Sequence, residues 1–209
     1  MKRITLLSAL TLTVSTTLSF AGKATDLQPT LAKPGKVVVE DSFAAASLTK
    51  TWIANKGDWQ PKDGQLVGVI KKSDNHPAVL MLNTPNRNSI IRFSFKFDGN
   101  KGFNLSYNSG KGHLFRIPIT SDGLTINKDK DKKNEKSKSL KLASAKGKIA
   151  AGEWHTMMVE VSGAKVSVQT DFGLKASASH PELDVDKTGY RFVTGGSVMI
   201  DDVKVWQTE

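Results

Sequence analysis

Cysteine is absent from the 209 residues, which excludes a disulfide framework and leaves no cysteine near the amino end to carry a lipid. Tyrosine is scarce, with two residues against nine Phe and four Trp. Most of the Trp are therefore expected in the core with the phenylalanines rather than at a surface. Apolar runs long enough to cross a bilayer are also missing, because even the uncharged stretch at 4–18 is shorter than the roughly 20 residues a span requires. No segment carries a convincing helical period. What remains is a chain that must be stabilised by one substantial hydrophobic core built from short strands.

The first residues have a directional order: Lys2 and Arg3, then the uncharged stretch, then Ser19-Phe20-Ala21. This is the charged, apolar and small-residue sequence of a secretory signal peptide. Residues 1–21 are expected to be removed, which makes the protein exported, periplasmic or extracellular. Residues 22–36, with Pro29 and Pro34, read as a linker or extended arm, and 37–209 as a single domain. The formal net charge of +10 is concentrated, since residues 128–148 hold nine lysines against Asp129, Asp131 and Glu135. A nearly neutral body with one basic segment argues against a nucleic-acid protein, whose positive charge would be spread over its binding surface. The basic segment, at about 127–150, reads as an exposed loop. It is either a lip that attracts an anionic envelope polymer or a solvated insertion.

Alternation is clearest at 89–97, where Ile91, Phe93, Phe95 and Phe97 share one face and Arg92, Ser94 and Lys96 the other. After Asp98-Gly99-Asn100-Lys101-Gly102, the next run sets Phe103, Leu105 and Tyr107 against Asn104, Ser106 and Asn108. After Ser109-Gly110-Lys111-Gly112, a third sets Phe115, Ile117 and Ile119 against Arg116. Short Gly-rich links predict that the three are consecutive neighbours in a meander. Residues 154–162 and 165–171 predict a further hairpin turned at Ser162-Gly163-Ala164. In the last strand, 197–206, Val198 and Ile200 have one parity and Val203 and Val205 the other, so a bulge is expected at Asp201-Asp202.

Several segments share an order with a known group. Residues 37–43, Trp52, Gly57-Asp58-Trp59 and Asp63-Gly64-Gln65-Leu66 come first, followed by Asp74-Asn75-His76-Pro77-Ala78. Gly112-His113-Leu114-Phe115, Gly152-Glu153-Trp154-His155 and Ile200-Asp201-Asp202-Val203 complete the series. In this order the chain resembles bacterial 3-keto-disaccharide hydrolase-like domains and their secreted relatives over nearly all of 37–206. The resemblance implies an all-β, concanavalin A-like (laminin-G-like) jelly-roll sandwich of two antiparallel sheets, one of them curved, with a carbohydrate-related role. It also implies a structural calcium ion joining the first and last strands, for which Asp41 and Asp202 would supply oxygens.

On such a curved sheet, Arg92, Ser94 and Lys96 from one strand, Asn104, Ser106 and Asn108 from the next and Arg116 from the third would form one groove of donors and acceptors suited to sugar hydroxyls. His76 and His113, each at a strand start, are further candidate sugar contacts. Related sandwich glycosidases carry three alternating acids on one strand. The nearest match, Glu182-Leu183-Asp184-Val185-Asp186, lies between Pro181 and Lys187-Thr188-Gly189 and reads as an acidic surface loop. No histidine pair has zinc spacing. The expectation is a carbohydrate-binding or surface-associated module without evident catalysis, whose partner is an oligosaccharide or polysaccharide. The alternative is a hydrolase of glycosides or 3-keto-glycosides.

Overall fold

The computed structural model describes residues 27–208; the signal-peptide reading of 1–21 lies outside them. Two antiparallel sheets pack face to face. The first runs in the order β13 (Lys175–Ser179), β12 (Lys165–Thr170), β11 (His155–Ser162), β6 (Ser89–Phe97), β15 (Ser197–Gln207), β4 (Gln65–Val69) and β3 (Asp58–Lys62), with β1 (Val37–Asp41) also paired to β15. The second runs β10 (Leu140–Lys146), β9 (Gly123–Lys128), β8 (Gly112–Thr120), β7 (Gly102–Ser109), β14 (Lys187–Thr194), β5 (Ala78–Leu82) and β2 (Trp52–Lys56).

The core lies between them and follows the alternation of the strands. Phe93, Phe95 and Phe97 of β6 project from the first sheet and Phe103 and Phe192 from the second, all essentially buried. They interlock across the gap: Phe93 meets Phe192 edge-on at 5.2 Å between ring centroids, and Phe95 meets Phe103 at 5.2 Å. These are the edge-to-face arrangements that aromatic quadrupoles favour. Tyr107 stacks on Phe115 at 4.2 Å along the second sheet.

The three-strand meander is not formed. β7 and β8 do pair as a hairpin, but β6 lies in the other sheet, between β11 and β15. Residues 98–101 arch from one sheet to the other instead of turning back beside β6. Asn100 holds the arch, donating through Nδ2 to the Gly102 carbonyl and to Thr194 Oγ1 (2.7 Å), while its Oδ1 accepts from the Lys101 amide. Gly99 takes the left-handed conformation that the reversal needs (φ 69°).

Two other expectations are met. β11 and β12 form the predicted hairpin in continuous register. The register of β15 against β6 shifts between Asp201 and Lys204, Asp202 has φ 48°, and Val198, Ile200, Val203 and Val205 are all fully buried. The segment read as one long loop differs, because β10 occupies 140–146 within it and the end of β9 reaches Lys128, leaving residues 129–139 to connect them. The small residues of β10, Ala143, Ser144 and Ala145, hid its alternation.

The arm is docked rather than loose. Glu160 of β11 has outward parity, yet it is fully buried. Its Oε1 accepts from the Thr30 amide (2.9 Å) and hydroxyl (3.1 Å), and its Oε2 from the amides of Leu31 (2.8 Å) and Ala32 (3.0 Å). Gln169 of β12 adds a hydrogen bond from Nε2 to the Gln28 carbonyl (2.6 Å). Residues 28–32 are thereby fastened across the outer face of the first sheet. Replacing Glu160→Ala is expected to cost roughly 2–3 kcal/mol, since hydrogen bonds to a charged group are the strong ones. Urea unfolding checks the loss. Hydrogen exchange should accelerate at the amides of 30–32 while the strands of the second sheet keep their protection.

Candidate functional site

On the second sheet, inward aromatics force the residues between them outward. The cross-strand register then aligns five outward polar residues in one row: Lys141 opposite Asn127, Asn127 opposite Arg116, Arg116 opposite Ser106, and Ser106 opposite Arg191. The row continues to Met81 and Ile53 at the far edge. A depression of about 330 Å³ sits over its β8 to β10 end, lined by Asn104, Arg116, Asn127, Asp129 and Lys141 among others. Arg116 reaches Asp129 at 2.6 Å. Arg191, half-buried, makes no hydrogen bond or ion pair among the described residues.

Asp129 also lines a second hollow, of about 360 Å³, at the end of the sandwich beneath the β7–β8 turn, with His113, Lys111, Asp131 and Glu182 around it. Two buried lysines fasten the segments around it. Lys128, 2 % exposed, donates to Ser137 Oγ and pairs with Glu182 at 2.6 Å, tying the 129–139 connection to the 181–186 turn. Lys187, 1 % exposed, donates to the carbonyls of Arg87 (2.8 Å), Leu183 (3.0 Å) and Val185 (2.8 Å). Burial lowers its pKa to about 8, an effect that the nearby Asp184 carboxylate opposes.

The candidate residues divide between the two sheets. Asn104, Ser106, Asn108 and Arg116 share the outer face of the second sheet. Arg92, Ser94 and Lys96 lie on the outer face of the first, on the opposite side of the molecule, so no single groove contains all seven. There they are engaged with neighbours: Ser94 with the Thr156 hydroxyl, Arg92 over Trp206 at 6.0 Å and Lys96 over Trp154 at 5.1 Å. Trp52 and Trp59 are core residues. His113 reaches the end hollow, whereas His76 is exposed at the other end of the second sheet, bonded through Nδ1 to the Pro77 carbonyl. Arg191 was missed, although Tyr190-Arg191-Phe192 carries the same alternation as its neighbours.

Glu182 is paired with Lys128, while Asp184 and Asp186 pair with Arg87, and the three lie in a 3-10 turn and loop rather than on a strand. Asp41 Oδ1 accepts from the Phe43 amide and Oδ2 from Trp52 Nε1. Among the described residues no three His, Asp or Glu side chains gather into a ligand set; a calcium ion held by one carboxylate and main-chain carbonyls would need no such cluster. Asp201 has its pKa raised to about 6, chiefly by burial; the Asp202 amide opposes this, and the Asp202 and Asp41 carboxylates reinforce it. Among the described residues no helix is long and apolar enough to cross a membrane.

No family model matches the sequence, and no curated protein matches it. Among solved structures the chain is similar to a carbohydrate binding module from Bacillus subtilis, at 13% identity over 77% of this chain and 98% of that one, with a TM-score of 0.62. It is also similar to a Bacillus subtilis protein of unknown function with a galectin-like fold (11% identity, 85% and 98% covered, TM-score 0.65). A third similar structure is porphyranase B from Zobellia galactanivorans (15% identity, 81% and 91% covered, TM-score 0.59). Identities this low speak for the fold alone: a concanavalin A-like jelly-roll sandwich, an architecture shared by sugar binders and glycoside hydrolases.

Lys187→Met removes the donor from three carbonyls and should cost about 2–4 kcal/mol, with the 181–186 turn losing amide protection first. For Asp201, the folded pKa of about 6 stands above the ordinary 3.8, so folding favours the protonated acid. Its stabilising contribution is complete below pH ~4 and is lost as the pH rises through ~6. Asp201→Asn should therefore raise the melting temperature at pH 7.5 and flatten that part of the stability profile. An unchanged profile by thermal melts at pH 4 to 7.5 would contradict this account.

Proposed function

We propose that this protein is an exported, non-catalytic carbohydrate-binding module that holds a polysaccharide across the outer face of its second sheet. The observation that carries the reading is the unbroken row from Lys141 to Arg191, with a depression beside it. Five adjacent strands each present one polar side chain, alternating cations with an amide or hydroxyl, on a face that the arm leaves uncovered. Sugar hydroxyls both donate and accept, and a row of mixed polar groups satisfies them without a deep pocket. The export reading rests on the residues at 1–21.

A hydrolase of glycosides or 3-keto-glycosides has less support. Retaining cleavage needs two carboxyl groups about 5 Å apart across one bond. The acids at 182–186 are instead neutralised by Lys128 and Arg87. Retention on an anionic envelope polymer through the lysines of 128–148 also has a narrower basis, since Lys128 is buried and Lys148 pairs with Asp122.

Glycan-array screening followed by calorimetry on the best polysaccharide tests the reading. Asn104→Ala and Asn127→Ala should each weaken binding by about tenfold, the value of one well-formed hydrogen bond. Lys96→Ala and His76→Ala, on the other sheet and at the other end, should leave it unchanged. Binding lost in Lys96→Ala but intact in the Asn variants would move the site to the first sheet. Shortened glycan products would replace the module with an enzyme.

A further inference from the structure

Cations stand on the strands of both sheets, but the acids are confined to one. The seven strands of the second sheet contain no Asp or Glu, yet they carry Lys56, Arg116, Lys128, Lys141, Lys146, Lys187 and Arg191. The acids found on strands, Glu40, Asp41, Asp58, Glu160, Asp201 and Asp202, all belong to the first sheet. Within the row, Lys141, Arg116 and Arg191 stand on β10, β8 and β14, one on every second strand. Hydrogen-bonded strands lie 4.7–4.9 Å apart, so the three cations follow one another at about 10 Å intervals. Asn127 and Ser106 fill the intervening places.

We infer that the ligand of this face is a linear acidic polysaccharide, lying across the strands, whose carboxylate or sulfate groups recur about every 10 Å and meet Lys141, Arg116 and Arg191 in turn. The inference rests on the sugar-binding reading above and adds the ligand's charge and its direction. The half-buried side chain of Arg191 has no partner among the described residues, whereas Arg116, half exposed, is ion-paired with Asp129 at 2.6 Å. A guanidinium offers a planar fork that matches carboxylate or sulfate oxygens in pairs, and one that is not already neutralised gains most from such a group. Asn127 then meets an uncharged hydroxyl between Lys141 and Arg116, while Ser106, 6% exposed, only spaces Arg116 from Arg191. A nucleic acid would also bring negative charge, but every aromatic side chain on these seven strands is buried, which leaves no platform on which bases could stack.

Affinity electrophoresis of the folded protein in gels containing polygalacturonate, carrageenan or neutral laminarin provides the test, with oligothymidylate as a competitor. Retardation by polygalacturonate or by carrageenan is expected, and which of the two acts tells carboxylate from sulfate. Arg191→Gln and Arg116→Gln should each weaken that retardation at least tenfold, and Arg191→Lys, which keeps the charge but loses the fork, by an intermediate factor. A triple variant of the 129–139 connection, Lys132→Gln with Lys133→Gln and Lys136→Gln, should stay within twofold. Melting temperatures of all variants guard against misfolding. Retardation by laminarin alone, indifferent to Arg191→Gln, would overturn this inference and leave the sugar-binding reading standing. No retardation by any polysaccharide would overturn both. Loss of binding in the triple variant instead, or displacement by oligothymidylate at equal charge concentration, would show diffuse or nucleic-acid attraction and overturn the ordered row.

Discussion

The interlocking of phenylalanines between the sheets is the constraint on which the rest of the structure depends. Phe93, Phe95 and Phe97 from one side and Phe103 and Phe192 from the other form a continuous aromatic seam. Rings packed edge to face tolerate little sliding, because each is both donor edge and acceptor face to its neighbours. The seam therefore fixes the stagger of one sheet on the other. By the strict alternation of strands, it also fixes which side chains are expelled to the two outer surfaces. The polar row of the second sheet is the obverse of its buried aromatic row.

The two outer surfaces have been put to different uses. On the first sheet, several polar and charged groups are engaged within the protein: Glu160 by the arm, Ser94 by Thr156, and Arg92 and Lys96 against tryptophan faces, although Arg92 Nε is buried without an acceptor. A buried carboxylate accepting several amide hydrogen bonds is stable where an unpaired one would not be. On the second sheet, Arg191 and Lys141 have no such internal partners among the described residues, and no strand carries an acid, although Asp129, just past β9, pairs with Arg116. Keeping like charges on one face costs some self-repulsion. That cost is sensible where a ligand relieves it.

Much of this was legible in the sequence, and the failures have a common origin. Parity along each strand came out correctly at Phe93, Leu105 and Ile117, and the phase change from Ile200 to Val203 located a bulge before any coordinates did. Alternation, however, records only inside and outside. A four-residue link suits a hairpin within a sheet or an arch between sheets, and Asn100, whose bond to Thr194 selects the arch, gains that role only from a residue 94 positions away. The predicted groove was divided for this reason alone. β10 escaped notice because Ala143 and Ala145 bury too little to produce a visible pattern. The burial of Glu160 left no local sign, because the arm that covers it is 130 positions away in the chain.

The fastening of residues 28–32 to Glu160 and Gln169 also gives the molecule a front and a back. The backbone enters the domain from behind the first sheet, on the far side from the row of Lys141, Arg116 and Arg191. A bead or fluorophore attached at Leu27 itself would stand to the rear, leaving the opposite surface turned toward whatever lies beyond. The same attachment made at the β7–β8 turn would stand in the way.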